Sequence, residues 1–411
     1  MHSLLPRWQT HSIKEAMRTR RVLLLNGPRQ CGKTTLAKYI ATADAMYWSL
    51  DDLALRQMAI NDPHAFVKHT HKILIIDEIQ HVPALLSAIK LVVDADTRPG
   101  QYLLTGSANI QSLPNVQESL AGRISTIRLR PLAQGELFEV EPTFLQRAFK
   151  SEFLRYEGNK YNRQAIIEMG FRGGFPEALN LPTRQRRKWH KDYIAALLTR
   201  DLKDIMHITR QQAMHELVKT LAAWSGKYMD VTAIGSRLAI HRSTLESYIN
   251  ALETLFIIER LPPWTRTDYE RVGKQNKLFM TDSGLMTSLL GWNIDQVQWD
   301  PDRSGKLIET FIFNQLAAQV DATAGEYELF HYRDREQREI DFLIEREDQA
   351  LLGIEIKAGS MINKSDFKHL KWFKDNIAKE RPFTGIVLHS GEFSGSMGDG
   401  FWAIPFDELW S

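Results

Sequence analysis

The sequence predicts an α/β protein that carries a parallel sheet in its N-terminal part and has several domains. Short apolar runs in the first third of the chain alternate with helical stretches, which is the pattern of a parallel sheet covered on both faces. A glycine-rich loop follows the first of these runs, as in sheets that bind phosphate. The chain has 411 residues, which is too long for one ordinary core, so two to four domains are expected.

The glycine-rich loop spells Gly-x-x-x-x-Gly-Lys-Thr from Gly27 to Thr34. It lies between a predicted strand, Val22–Leu25, and a predicted helix, and this context disfavours a chance glycine turn. Backbone N–H groups and the helix N-terminus would face phosphate oxygens. Lys33 would neutralise the terminal phosphates, and Thr34 would ligate Mg²⁺. The predicted nucleotide-binding residues are Gly27, Pro28, Arg29, Gln30, Cys31, Gly32, Lys33, Thr34 and Thr35.

Polar residues follow the later strands at the edge where such sheets bind ligands. Asp77 and Glu78 end the run "KILIIDE". Asp77 is predicted to hold Mg²⁺ and Glu78 to deprotonate the attacking water, although an acidic pair can also be a solvated strand end. Ser107, with Thr105 as the alternative, is the candidate γ-phosphate sensor. Arg123 is either an arginine finger for a neighbouring subunit or an ordinary surface arginine.

These motifs resemble known ATPases. The loop is similar to a Walker A motif, and the acidic pair with its intervening strand resembles the ASCE group of P-loop ATPases. "LLNGPRQCGKTTLA", "ILIIDEIQHVPALLSAIK", "YLLTGSA" and "ESLAGR" resemble the prokaryotic AAA+ family AAA_14, which is typically followed by the domain of unknown function DUF4143. "RGGFPEAL", "TRDL" and "KLFMTDSGLMTSLLG" are similar to signatures of that second region.

The resemblance implies an ATPase core that binds ATP and Mg²⁺, over residues 1–145. It strengthens the arginine-finger interpretation of Arg123 and implies a homo-oligomeric ring, with six subunits as one option. A helical lid is predicted over residues 146–213, in which Arg172 and Arg200 are both candidates for a sensor-2 arginine. The basic run "TRQRRKWHK" in this segment is either a solvated helix face or a polyanion contact.

Residues 214–268 resemble a winged helix. Six apolar residues at helical spacing would form its core, namely Leu245, Tyr248, Ile249, Leu252, Leu255 and Phe256. Ser243 and Glu246 are predicted to form a capping box. Four outward residues would be available to DNA, namely Arg237, His241, Arg242 and Ser247. A protein-interaction role is the alternative.

Residues 269–411 are assigned to the DUF4143 region, and they resemble the PD-(D/E)xK nuclease fold, an α/β restriction-endonuclease-like domain. Glu309 lies on a predicted helix and Asp341 on a predicted strand. Glu355 and Lys357 share one face of the next strand. The three carboxylates are predicted metal ligands, and Lys357 would activate water, as in metal-assisted phosphodiester hydrolysis. The alternative is a satisfied ion pair in a domain that does not cut.

Composition narrows the class of protein. Cys31 is the single cysteine, so an intrachain disulfide and a cysteine-based zinc site are both excluded. No apolar run reaches transmembrane length, and the N-terminus lacks a long apolar signal region. A cytoplasmic protein without a membrane partner is therefore expected. The net charge of +2 does not by itself indicate nucleic acid. The sequence thus predicts an ATP-hydrolysing AAA+ protein that acts on DNA, or alternatively an ATP-driven regulatory switch with a C-terminal protein-interaction module.

Overall fold

The computed structural model describes residues 5–41, 44–109, 122–153, 161–205, 211–267, 274–323 and 325–410. The N-terminal part is an α/β unit, as predicted. Its strands are β1 (Val22–Asn26), β2 (Ala45–Ser49), β3 (Ile73–Asp77), β4 (Tyr102–Gly106) and β5 (Ile124–Arg128). Its helices are α1 (Gln9–Thr19), α2 (Lys33–Ile40), α3 (Leu53–Asn61), α4 (Pro63–Val67) and α5 (Ala84–Ala95), with a 3₁₀ turn at Ile79–His81.

The five strands form one parallel sheet in the order β2-β3-β4-β1-β5. The glycine-loop strand β1 therefore lies between β4 and β5, and the carboxyl ends of β1 and β3 lie at the same edge. Apolar side chains form a separate core on each face of the sheet, because successive residues of a strand point to opposite faces. This explains the continuous apolar runs in the sequence.

A set of helices follows the sheet, where the lid is predicted. They are α6 (Gln134–Leu137), α7 (Phe144–Lys150), α8 (Arg163–Arg172), α9 (Pro176–Leu179), α10 (Thr183–Ala196) and α11 (Leu202–Ile205), with a π-helical turn at Leu197–Asp201. The basic run lies on α10. Two of its arginines are used within the chain: Arg186 donates to backbone carbonyls of Ala178 and Leu181, and Arg187 donates to that of Trp292.

The next segment contains the residues for which a winged helix is predicted. It comprises α12 (Gln211–Trp224), β6 (Lys227–Tyr228), α13 (Val231–Leu238), α14 (Arg242–Thr254), β7 (Ile258–Leu261) and β8 (Lys277–Met280). The three strands form an antiparallel sheet in the order β6-β8-β7. Its central strand, β8, lies beyond residue 268, where the sequence placed the end of this segment.

The six apolar residues predicted from helical spacing are all buried, four of them in α14 and the other two, Leu255 and Phe256, directly after it. The predicted capping box is wrong. The helix begins at Arg242, so that Ser243 already lies inside the first turn, and the N-cap is His241, which makes no side-chain cap. Glu246 pairs instead with Arg242, one turn before it.

The C-terminal part contains a mixed six-stranded sheet. Its helices are α15 (Ser283–Leu290), α16 (Ile294–Trp299), α17 (Pro301–Ala322) and α18 (Lys368–Phe373), with a π-helical turn at Lys374–Ala378 and 3₁₀ turns at Lys364–Phe367 and Phe406–Trp410. Its strands are β9 (Tyr327–Arg333), β10 (Glu339–Arg346), β11 (Leu351–Lys357), β12 (Phe383–His389), β13 (Gly395–Gly398) and β14 (Phe401–Pro405). The order is β13-β14-β12-β11-β10-β9, and β10 and β11 form an antiparallel hairpin.

One continuous apolar core joins the lid helices, the winged-helix segment and one face of the C-terminal sheet. Phe171 from α8, Leu252 from α14, Phe313 from α17 and Ile386 from β12 all belong to it. The other face of the C-terminal sheet packs on a separate cluster that includes Phe373. The lid is therefore packed as part of the C-terminal half rather than as an isolated layer.

An ion-pair network ties the N-terminal sheet to the rest of the chain. Arg130, two residues beyond β5 and almost fully buried, donates to both carboxylate oxygens of Glu259 at 2.6 and 2.9 Å and to Asp321 at 2.5 Å. Arg128 donates to Glu259 at 2.8 Å. Glu259 belongs to β7 and Asp321 to α17, so this Arg130 network links the sheet to two later elements at once.

None of the helices within the described ranges is long and apolar enough to cross a bilayer.

Candidate functional site

The glycine-rich loop has the strand–loop–helix context that the sequence predicts. Gly27, Gln30 and Gly32 have positive φ angles of 151°, 59° and 103°, a backbone curvature that turns N–H groups toward the loop centre. A Cβ at Gly27 would lie 2.0 Å from the carbonyl oxygen of Leu129, so only glycine fits there. Cys31 is buried below the loop, with its Sγ 3.4 Å from the same oxygen.

Lys33 points into the loop rather than into solvent. It is the first residue of α2, and only 4% of the residue is exposed. Its Nζ donates to the carbonyl oxygens of Gly27 and Pro28 at 3.0 and 2.8 Å. A buried ammonium held by two carbonyls is positioned for an anionic ligand, which would compensate its charge better than carbonyl oxygens do.

Asp77 is surrounded by hydroxyl groups at the end of β3. It accepts hydrogen bonds from Thr34 at 3.0 and 3.1 Å, from Tyr47 at 2.7 Å, and from Thr105. Burial and the bond to Asp77 raise the pKa of Tyr47 above its ordinary value, so Tyr47 is a neutral donor at physiological pH. The Thr34 hydroxyl and the Asp77 carboxylate are hard oxygen ligands in contact with each other, and they fit Mg²⁺.

Glu78 follows in a left-handed conformation, with φ of 58°. Its N–H donates to the Thr105 hydroxyl at 3.0 Å, and its carboxylate accepts a hydrogen bond from Gln80. Burial raises the pKa of Glu78. The charge of Lys33 and hydrogen bonds from Gln80 and Ser107 together lower this pKa by more than burial raises it, so the net shift is downward. The carboxylate is therefore ionised at neutral pH, as a general base must be.

The two candidate sensors are brought close to this pair of acids. Ser107 is buried, and its hydroxyl lies 2.9 Å from Gln80 Nε2 and 3.4 Å from Arg29 Nε. Thr105 contacts Asp77 and Glu78 directly. Sequence reasoning missed Gln80 and Tyr47. Gln80 stands two residues after Glu78, a spacing that could have indicated it, whereas Tyr47 reaches Asp77 from another strand and gives no local signal.

A cavity of about 650 Å³ lies between the loop and helix α10. Lys33, Thr34 and Glu78 line one side of it, and Trp189 and Arg200 line the other. The cavity has the volume of a small-molecule site. Of the two sensor-2 candidates, Arg200 lines this cavity, while Arg172 is the last residue of α8.

The lid helices touch the glycine loop on the far side of the cavity. Asp201, at the end of the π-helical turn, pairs with Arg29 at 2.8 Å, and the Tyr193 hydroxyl donates to the Arg29 carbonyl at 3.3 Å. The rings of Tyr193 and Trp189 are stacked, with centroids 5.3 Å apart. A ligand in the cavity would therefore contact the loop and the lid together.

The comparison with known families agrees with this geometry. Residues 19–138 match the family model AAA_14, described as an AAA domain. This part of the chain is therefore similar to AAA domains. Residues 304–409 match DUF4143, as the resemblance predicted, and residues 163–296 match a further domain of unknown function, DUF8612. The three signatures attributed above to the DUF4143 region lie within the DUF8612 match, which corrects that attribution.

Similar proteins cover most of the chain at low identity. Uncharacterised proteins of Mycobacterium tuberculosis and Mycobacterium bovis are each 23% identical over 398 residues, which make up 97% of this chain and 82% of the relative. Among solved structures, a Walker-type ATPase of Pyrococcus abyssi is 15% identical, with a TM-score of 0.43 over 70% of this chain and 96% of that one. The RuvB Holliday junction branch migration motor of Thermotoga maritima is 20% identical, with a TM-score of 0.28 over 64% and 92%. The fold assignment rests on the strand order and the loop geometry described above.

Arg123 lies far from the glycine loop of its own AAA domain. It precedes β5 at the amino edge of the sheet, whereas the loop follows β1 at the carboxyl edge. A five-residue strand separates the two edges by roughly 16 Å. Arg123 pairs with Asp94 at the end of α5. It does not belong to the site of its own chain, and residues 118–121 of the "ESLAGR" motif lie outside the described residues.

The predicted DNA-facing residues are exposed. Arg237 lies on α13, His241 precedes α14, and Arg242 and Ser247 lie on α14, all on the solvent side. Arg242 pairs with Glu246 at 2.9 Å, and the Ser247 hydroxyl donates to the Ser243 carbonyl at 3.0 Å. A phosphate could replace Glu246, since exposed helix pairs of this kind are weak.

The C-terminal carboxylates come together around a lysine that the sequence did not indicate. Lys277, the first residue of β8, places its Nζ 2.6 Å from Glu309, 3.0 Å from Glu339 and 3.5 Å from Asp341. We call Lys277 and these three carboxylates, with Glu355, the acidic cluster. The Ile356 N–H donates to Asp341 at 2.9 Å.

The cluster does not have the geometry of a metal centre. Among the described residues, no group of three or more His, Cys, Asp or Glu side chains is arranged to hold a metal ion. Burial, and next the charge of Asp341, raise the pKa of Glu355 well above its ordinary value. Lys357 is partly exposed and lies 3.7 Å from Asp366. The residues therefore do not fit the divalent ion that the PD-(D/E)xK resemblance implies.

Proposed function

We propose that the protein hydrolyses ATP with Mg²⁺ and couples this hydrolysis to an action on DNA through the exposed face of α13 and α14. The observation that carries the proposal is the convergence of Lys33, Thr34 and Glu78 on one side of the cavity beside α10, with Asp77 bonded to the Thr34 hydroxyl. These are the groups that phosphoryl transfer requires.

Each side chain has one task in the proposed reaction. A Mg²⁺–ATP complex would supply the electrophilic γ-phosphorus, with ADP as the leaving group. Lys33 neutralises charge on the transferred phosphate, and Thr34 and Asp77 hold the cation. Glu78 accepts the proton of the attacking water, which its lowered pKa permits. Gln80 orients that carboxylate through its hydrogen bond.

The position of Arg123 supports a homo-oligomer. A residue roughly 16 Å from its own site can stabilise a transition state only in a neighbouring subunit. In this proposal Arg123 leaves Asp94 when a second copy docks and then serves the neighbour's γ-phosphate. A ring is one assembly in which every subunit is both donor and acceptor of such an arginine.

Phosphate release measured with and without single-stranded, duplex and branched DNA tests the proposal. Hydrolysis is expected without DNA and is expected to rise with at least one of the three. Arg242→Glu should reduce the stimulation and keep the basal rate, because it reverses a charge on the α14 face. Arg98→Glu is the matched control, since Arg98 is also exposed and paired with a neighbouring acid.

Two outcomes would contradict parts of the proposal. Absence of hydrolysis in any condition would refute the ATPase assignment. Hydrolysis that no DNA changes would favour the alternative, an ATP-driven switch whose C-terminal half binds protein. Metal-dependent DNA cleavage is not part of the proposed function, because the acidic cluster does not fit a divalent ion.

A further inference from the structure

Lys277 is buried among carboxylates that come from a different part of the chain. Only 2% of the residue is exposed. Glu309 reaches it from α17, and Glu339 and Asp341 reach it from β10. Lys277 itself is in β8, the central strand of the winged-helix sheet. The acidic cluster is thus completed by a residue from outside the DUF4143 match, which begins at residue 304.

The backbone of Lys277 is fixed on both sides. It pairs with Tyr228 of β6 and with Leu261 of β7 in the antiparallel sheet. Its Nζ also lies 5.7 Å from the centre of the Tyr228 ring, a distance at which a cation is attracted to an aromatic face. The backbone of Lys277 therefore cannot shift without disturbing the central strand, and the ammonium group could leave the cluster only by rotation of the side chain.

A divalent ion and this ammonium group compete for the same space. An ion held by Glu309 and Asp341 would lie about 2.1 Å from an oxygen of each. The Lys277 nitrogen already lies 2.6 Å from one carboxylate and 3.5 Å from the other. A metal at that position would be in contact with Nζ and would be repelled by its charge.

We propose that Lys277 is the resident cation of the acidic cluster, in the place where a nuclease of this fold would bind a divalent metal. The C-terminal sheet is then a metal-free module, held to the winged-helix sheet by one buried cation. This inference is independent of the proposed ATPase activity, because it concerns different residues.

Mn²⁺ titration of the full chain, followed by the electron paramagnetic resonance signal of the free ion, tests the proposal. The wild-type chain and Asp341→Asn should give the same curve without nucleotide, because Asp341 binds Lys277 and not metal. Loss of one Mn²⁺ equivalent in Asp341→Asn would overturn the proposal. This comparison does not require Lys277 to be changed.

Lys277→Met removes the charge and keeps most of the side-chain volume. The three carboxylates then repel one another, so the thermal midpoint should fall, and one new Mn²⁺ equivalent should bind and partly restore it. The new site should vanish in Lys277→Met/Asp341→Asn. Lys371→Met is the control, since Lys371 faces the Phe401 ring rather than the acidic cluster. This variant should change neither the thermal midpoint nor the number of bound Mn²⁺ ions. A folded Lys277→Met variant with an unchanged midpoint and no new site would refute the proposal.

Discussion

Replacement of Arg130 by methionine tests the link between the AAA domain and the rest of the chain. The change removes three hydrogen bonds to Glu259 and Asp321. These two largely buried carboxylates then lose a positive charge that compensates their own. Breaking a buried ion pair costs about 3–5 kcal/mol. We expect about 3 kcal/mol, the lower end of that range, because Arg128 remains 2.8 Å from Glu259.

The pKa of Glu259 reflects the combined effect of Arg128 and Arg130. Burial raises this pKa, but the charges and hydrogen bonds of Arg128 and Arg130 lower it more, from the ordinary 4.5 to about 2. That difference corresponds to about 3 kcal/mol. The pKa of Glu259 is lower in the folded state than in the unfolded state. The contribution of ionised Glu259 to the free energy of unfolding is therefore present above about pH 4.5 and is lost as the pH falls toward about 2.

Urea unfolding of wild type and Arg130→Met, at a series of pH values, is the assay. The stability difference should be largest near neutral pH and should narrow as the pH falls from about 4.5 toward about 2, because protonated Glu259 no longer needs the arginine. Arg98→Met, at an exposed pair with Asp96, should cost little at any pH. A loss for Arg130→Met that matches this control, or a difference that pH does not alter, would refute the reasoning.

Three further predictions concern ATP hydrolysis. Lys33→Ala should abolish nucleotide binding, since the phosphate charge loses its partner, and calorimetry that shows unchanged ATP affinity would contradict the assignment. Glu78→Gln should bind ATP and lose turnover by roughly 10²–10⁴-fold, the usual effect of a general base; hydrolysis at the parental rate would place the base elsewhere. Arg123→Ala should bind ATP without hydrolysing it, and mixing it with Lys33→Ala should restore some activity, because hybrid interfaces can join an intact Lys33 to an intact Arg123. If subunits are shown to exchange and the mixture still does not hydrolyse ATP, an arginine finger that acts between subunits is excluded.

Local sequence patterns were sufficient to predict those helices, strands and loops that are each determined by a single short segment. The glycine loop needs a strand before it and a helix after it, and both can be recognised from a few residues. The burial of Leu245, Tyr248 and Leu252 follows from helical spacing alone. The capping-box prediction failed because a Ser-x-x-Glu pattern can also occur inside a helix, and α14 begins two residues earlier than that prediction requires.

Contacts between distant segments could not be predicted in this way. Lys277 and Glu309 are 32 positions apart, and nothing in "KLFMTDSG" marks its lysine as buried. Tyr47 reaches Asp77 through neighbouring strands, an approach that depends on the strand order. The strand β8 was assigned to the following domain because a long connection separates it from β7, although it completes the same sheet.

The apolar core shared by the lid, the winged-helix segment and the C-terminal sheet has a mechanical consequence. Close-packed interiors transmit displacement rather than absorb it, so helix α10 cannot turn over the nucleotide cavity without carrying the rest of this block. Tyr193 of α10 and Leu252 of α14 belong to that same core, so a displacement of the lid beside Arg29 would be shared by α14. The exposed arginines of α13 and α14 would then move together with the lid wall of the nucleotide cavity.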